Sequence, residues 1–201
     1  MTQDIEKDRD EKTIPCLYFR DPGRDNTRKT LAAAARRVRE LDLRTVLIAS
    51  TSGETGLMAA ELIDVENLVV VSHSTGFIRP DVQQMTPEDR EALEKSGARI
   101  LTAQHAFGGI GRAVRKKLGT YELEELVAFT LRLFGQGMKV AIEIALMAAD
   151  AGLVSTFEPC VSIGGTNDGA DTAVLLKPAH AQDFFDLKVQ EILAKPRLWE
   201  D

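Results

Sequence analysis

Short runs of consecutive apolar residues alternate along this chain with stretches in which apolar residues return every third or fourth position. The runs at 45–50 (TVLIAS), 68–73 (LVVVSH), 98–103 (ARILTA), 158–164 (EPCVSIG) and 172–178 (TAVLLKP) are continuous rather than alternating, as in strands covered on both faces. After Asn26 or Thr27 as cap, Leu31, Ala34, Val38 and Leu41 recur on one helical face. Thr86-Pro87-Glu88-Asp89 reads as the start of another helix, with a capping hydroxyl, proline in the first turn and an acidic reciprocal cap, and Gly97 closes it. Two further helices are predicted over 120–134 and 138–151. The first puts Leu123, Leu126, Val127, Thr130, Leu131 and Phe134 on one face, and the second is apolar nearly all round and must be deeply packed.

Strand, helix, strand, helix, strand, then helices and two more strands predict a three-layer α/β/α sandwich around a largely parallel sheet. The connection 165–171 is too short for a helical crossover, so the last two strands should be antiparallel neighbours. Segment 14–19 (IPCLYF) reads as a short strand or an extended arm, and 20–26 (RDPGRDN) carries turn signals. Residues 1–12 are charged almost throughout, which predicts a mobile tail before a single domain over 13–201.

Composition adds exclusions. The formal net charge of −6 argues against nucleic acid or an anionic membrane as the main partner, both of which are bound through excess Lys and Arg. One basic group, Arg112, Arg115, Lys116 and Lys117, reads first as a solvated helix face and second as a phosphate-facing patch. The charged start holds no secretory signal, and no apolar run approaches bilayer length, so a cytoplasmic protein is expected. Cys16 and Cys160 lack metal-ligand spacing and are expected to be buried, reduced thiols.

In an open α/β sheet, ligands bind beyond the carboxyl ends of the parallel strands. The segment 50–56 (STSGETG) is the first candidate there. Small residues allow close backbone approach, while Ser50, Thr51, Ser52 and Thr55 supply hydroxyls around Gly53 and Gly56, and the free N–H groups of the next helix favour an anion such as phosphate. The alternative is simple helix capping by Ser52 or Thr55. The loop is neither a Walker A nor a GxGxxG motif. Thr75 and Gly76 follow the second strand, and Gly164, Gly165, Thr166 and Asp168 could enclose the other side of a ligand, or merely form a tight turn. Asp168 and Asp171 alone do not make a metal site, and none is assigned. His73 and His105 follow the second and third strands and are the candidate proton-transfer groups, with backbone-bonded strand-end histidines as the alternative. His180 falls at the opposite end of the sheet. Lys139 and Glu143, one helical turn apart, read as a mutual ion pair.

Taken together, VLIASTSGETG, VVVSHSTGF, FGQGMKVAIEIALMAADAG and VSIGGTNDGADTAVLLKPAHAQDFFD, with YFRDPGRDNT at the entry, resemble the stand-alone pyruvate kinase C-terminal-like (alpha/beta domain) proteins over roughly 14–197. The resemblance implies a five-stranded mixed sheet of order 3-2-1-4-5 with an antiparallel last strand, no catalytic barrel and no pyruvate kinase activity. It also implies that Thr51, Ser52, Gly53 and Thr55 hold a phosphate, with flavin mononucleotide as the first named ligand. Glu54 stands near where the full-length enzymes carry a basic residue, which favours one phosphate over a doubly charged effector. Three readings stay open: a binding protein for a small phosphorylated ligand, an enzyme using His73 or His105, and an oligomerisation module with a vestigial pocket.

Overall fold

The apolar runs assemble into one sheet. In the computed structural model, which describes residues 12–197, the strands are β1 (Leu17–Phe19), β2 (Thr45–Ala49), β3 (Asn67–Ser72), β4 (Arg99–Thr102), β5 (Cys160–Gly164), β6 (Thr172–Lys177) and β7 (Lys188–Pro196). They lie side by side in the order β1-β7-β6-β5-β2-β3-β4. β5, β2, β3 and β4 are mutually parallel, β6 is antiparallel to both β5 and β7, and β1 runs parallel to β7. The expected tail, apart from Lys12, lies outside the described residues.

The five-stranded, pyruvate kinase C-terminal-like sheet is therefore corrected to a seven-stranded one. The two additional strands escape a pattern search for physical reasons. β7 carries Lys188, Gln190, Glu191 and Lys195, residue types depleted in strands, and its first three residues are exposed. What holds it is long-range. Leu193 and Ala194 are buried against α1 (Thr27–Leu41), and the buried Arg37 of that helix donates from Nε to Glu191 Oε2 at 2.7 Å. β1 has only three residues, and its partner is β7, far along the chain.

Helices cover both faces. α1, α2 (Glu54–Leu62) and α3 (Pro87–Lys95) pack one core through Leu31, Val38, Ala59, Ile63 and Leu93 against Val46, Ile48, Val70 and Ile163. α5 (Leu123–Arg132) and α6 (Gln136–Asp150) pack the other against Leu47, Val69, Val71 and Val174. Neighbours in one strand thus enter opposite cores, which is why β2 and β3 read as unbroken apolar runs. Thr86 caps α3, its hydroxyl accepting from the Asp89 N–H at 3.1 Å. α4 (Ile110–Leu118) is the short basic helix.

The face expected to bury α5 is also corrected. Ala128 and Glu125 are buried, while Leu123, Leu126 and Phe134 are exposed and only Val127 and Leu131 are partly covered. Periodicity identifies an apolar side without saying what lies against it. No helix among the described residues is long and apolar enough to cross a membrane.

Candidate functional site

A cleft of about 730 Å³ opens at the carboxyl ends of β2 and β5. Three helices begin at its wall: Thr27 and Arg28 belong to the first turn of α1, Glu54 and Thr55 to that of α2, and Gln136 to that of α6. Each helix start carries the positive end of a dipole, so the cleft gathers positive potential from three sides, although the Thr27 N–H is already taken by the Arg24 carbonyl.

Local sequence explains how the starts come so close. Gly53, with φ of 103°, turns the chain into α2 in a conformation that L side chains rarely adopt, and any Cβ there would crowd Asp89. At the other wall Gly137 and Gly164 let α6 sit directly on β5, since a Cβ on Gly164 would meet the Gly137 carbonyl and one on Gly137 would meet Thr172. The third wall is tied by Asp171, fully buried, whose Oδ2 accepts from the Gly23 N–H at 2.9 Å and the Thr166 N–H at 3.1 Å. Thr27 adds a second tie, its hydroxyl accepting from the Ala170 N–H at 3.0 Å. The early turn signals and the late glycine loop are two halves of one structure.

Of the residues singled out by sequence, Ser50, Thr51, Ser52, Thr55, Gly165, Asp168 and His73 line the cleft. Gly53, Gly56, Thr75, Gly76, Gly164, Thr166 and His105 are not among its lining residues. Gly56 faces Val70 and Leu93 inside the core, whereas Thr75 and Gly76 are exposed on the loop after β3. Ser50 and Ser52 act as caps: Ser50 Oγ accepts from the Gly56 N–H at 3.1 Å and Ser52 Oγ from the Glu54 N–H at 3.5 Å. Asp171 serves as a tie within the loop and not as a ligand-facing carboxylate.

Arg24 and Arg28 also line the cleft and were not legible as site residues. Arg24 pairs with Glu54, so the one carboxylate in the α2 loop is answered by a guanidinium. Arg28 is exposed. No local pattern marks them, and the expected cap at Asn26 or Thr27 is absent: Asn26 makes no side-chain cap bond and donates instead to the Asp21 carbonyl, while a 3-10 turn over 24–26 leads into α1.

His73 sits between Thr51 and Gln84. Its Nδ1 is 2.9 Å from Gln84 Oε1, an acceptor, which places the ring proton on Nδ1 and leaves Nε2 to face the Thr51 hydroxyl at 3.5 Å. Burial pushes the His73 pKa down, against the opposing effect of the Gln84 bond, so the ring is neutral near pH 7. His105 lies behind Phe77, with ring centroids 4.9 Å apart, and its Nδ1 is 3.4 Å from Glu143 Oε2. Glu143 also receives the buried Lys139 ammonium at 2.5 Å and the Phe107 N–H at 3.1 Å. Burial alone would raise the Glu143 carboxyl, but the bonds and charges of His105 and Lys139 outweigh it and hold it at about 2. Cys160 is a buried core thiol, pushed by burial to about 12, and Cys16 is partly covered. Among the described residues no cluster of three or more His, Cys, Asp or Glu has the arrangement of a metal site.

A second cavity, of about 420 Å³, separates the 12–15 arm from α1. It is walled by Arg37 and Glu40, which already satisfy each other at 2.8 Å, so the chemistry gathers at the cleft instead.

No family model matches the chain. Among solved structures, one described as "Crystal structure of the competence-damaged protein (CinA) superfamily protein from Enterobacter cloacae" aligns with 87% of this chain and 91% of its own, at 13% identity and a TM-score of 0.27. Similarity at that level carries no argument about fold or function. The seven-stranded sheet also removes the five-stranded framework with which flavin mononucleotide entered as a ligand. The site must be read from its own chemistry.

Proposed function

We propose that this protein binds a small phosphorylated ligand, with the phosphate held between the starts of α1, α2 and α6. The observation that supports this reading is the convergence of three helix N-termini on one cleft that also contains Arg24 and Arg28. Because Ser50 and Ser52 already cap α2, the phosphate contacts fall to the remaining N–H groups, the Thr51 and Thr55 hydroxyls and Arg28. Glu54, paired with Arg24, uses up one cation, which suits a monophosphate better than a bisphosphate.

The test is thermal unfolding and calorimetry with inorganic phosphate, a sugar monophosphate and a nucleoside monophosphate beside their unphosphorylated counterparts. Only the phosphorylated compounds should raise the Tm. Ser52→Asp, an exposed change that puts a carboxylate at the helix start, should abolish that rise while leaving the unliganded Tm nearly unaltered. Equal responses to phosphorylated and unphosphorylated compounds, or none at millimolar concentration, would refute the proposal.

The Thr51–His73–Gln84 alignment supports a second reading, in which His73 Nε2 takes a proton from a water that attacks the phosphorus of a bound phosphomonoester, the alcohol leaving with a proton as inorganic phosphate forms. His73→Gln would then leave phosphate binding intact and eliminate turnover of the bound phosphomonoester, read as release of inorganic phosphate. Turnover at the wild-type rate in that variant removes the role.

A further inference from the structure

Behind the cleft lies a histidine held firmly at one ring nitrogen and left bare at the other. His105 follows β4, where the Gly108 N–H returns to the His105 carbonyl at 3.2 Å and turns the chain back toward α6. Its Nδ1 faces Glu143 Oε2, and an ionised carboxylate only accepts, so in the neutral ring the proton is on Nδ1 and Nε2 is an acceptor. Glu143 is buried and is itself fixed by Lys139 and the Phe107 N–H. Yet His105 Nε2 is buried without any hydrogen-bond partner. A buried acceptor with no donor is a cost to the fold, and it marks a place where a donor is wanted.

Between that ring and the cleft stands Phe77, which stacks on His105, packs against His73 with centroids 4.1 Å apart, and lines the cleft itself. Arg112 lies over the same phenyl ring, 4.8 Å from its centroid. It is also beside His105, because a Cβ added at Gly108 would come within 2.9 Å of Arg112 Nη2 and 3.4 Å of His105 Cβ. Phe77 belongs to a loop over 74–82 that closes on itself, the Gly76 N–H donating to the Val82 carbonyl at 3.0 Å, with Thr75, Gly76 and residues 78–81 exposed. The chain after it is anchored separately, Gln83 to the His73 carbonyl and Gln84 to the His73 ring. The loop can therefore lift Phe77 while both histidines stay in place. What it uncovers is one acceptor, His105 Nε2, next to the guanidinium donors of Arg112, the pair that a hydroxyl group satisfies by donating and accepting at once. A carboxylate or second phosphate would meet the Nε2 lone pair, with the Glu143 charge behind it.

We propose that Phe77 is a removable cover and that a hydroxyl of the phosphorylated ligand takes its place, donating to His105 Nε2 and accepting from Arg112, so that the cleft prefers phosphorylated sugars and polyols to simple alkyl phosphates. Glu143 is then a positioning residue that keeps the His105 proton on Nδ1. The anchoring of the ligand rests on the phosphate reading above, and the subsite adds what the rest of that ligand must carry.

The experiment is calorimetry of the full chain with glucose 6-phosphate, glycerol 3-phosphate and propyl phosphate, beside carbethoxylation of His105 by diethyl pyrocarbonate, followed by peptide mass spectrometry. One or both of the hydroxylated compounds should bind roughly tenfold more tightly than propyl phosphate. His105→Phe, which keeps an aromatic ring against Phe77, should remove that preference and leave the affinity for propyl phosphate unaltered. Phe77→Ala should tighten binding of the preferred compound, since no ring has to be displaced, and should speed modification of His105 several-fold. The preferred compound, and not propyl phosphate, should slow that modification again. Equal affinities for all three compounds, a preference that survives His105→Phe, or His105 modified no faster in Phe77→Ala would overturn the subsite and leave the phosphate site standing. Binding of none of the three would instead refute the phosphate reading, and the ligand assigned to the subsite would fall with it.

Discussion

α5 and α6 follow each other in the chain, are both rich in apolar residues, and end in opposite situations. α6 is buried nearly all round, down to Lys139 and Glu143, whereas α5 turns Leu123, Leu126 and Phe129 to the outside and Glu125 inward, with Val127 and Leu131 only partly covered. The difference lies in what each can reach. α6 packs on β2, β5 and β6 and starts at the cleft, so its sheet covers it, while α5 rests on α6 as an outer layer with no sheet of its own. Apolar periodicity states that a surface will be covered, and only tertiary context decides by what.

The largest effect that would break this contrast is in the α6 ion pair. Glu143→Ala leaves the Lys139 ammonium buried and uncompensated and should cost about 3–5 kcal/mol in urea unfolding. Replacing both partners, Lys139→Met with Glu143→Leu, should recover most of that loss, the shortfall being the bonds to His105 and the Phe107 N–H. The same carboxyl sets an acid limit. Its folded pKa of about 2 lies below the ordinary value of 4.5, so its contribution is complete above about 4.5 and is lost as pH falls toward 2. A Glu143→Gln variant should show a flatter decline of Tm over that window.

Next is Leu146→Ala, a cavity under a fully packed helix, at about 2–5 kcal/mol. Arg115→Ala, which strips Glu125 of its partner at a partly wetted site, should cost about 1 kcal/mol. Leu123→Ala should change the unfolding free energy by less than about 0.5 kcal/mol. A Leu123→Ala cost equal to that of Leu146→Ala would erase the distinction between the two helices.

What could be read in advance follows the range of the interactions involved. β2 to β6 were legible because each is a continuous apolar run, and α3 because Thr86, Pro87 and Asp89 write its start within four positions. β7 was not, since its strand character comes from α1 and β6 and its own residues are mostly polar. The site divides the same way. The α2 loop was legible from its small residues, but Arg24 and Arg28 reach the cleft only because the Gly23 N–H bonds a carboxylate 148 positions away. Ser52 was legible as a possible cap, but the second cap is Ser50 and not Thr55, because a side-chain direction is not written in a loop sequence.

The tie between Gly23 and Asp171, with β1 lying on β7, also orders events in time. During synthesis the residues that position Arg24 and Arg28 emerge first and find no partner until the last strands have left the ribosome. Closing so long a loop costs entropy before its contacts form, so the central strands and their helices are expected to assemble ahead of the cleft. Binding competence should accordingly lag the recovery of secondary structure in a refolding experiment, and Asp171→Asn should lengthen that lag more than it disturbs the core.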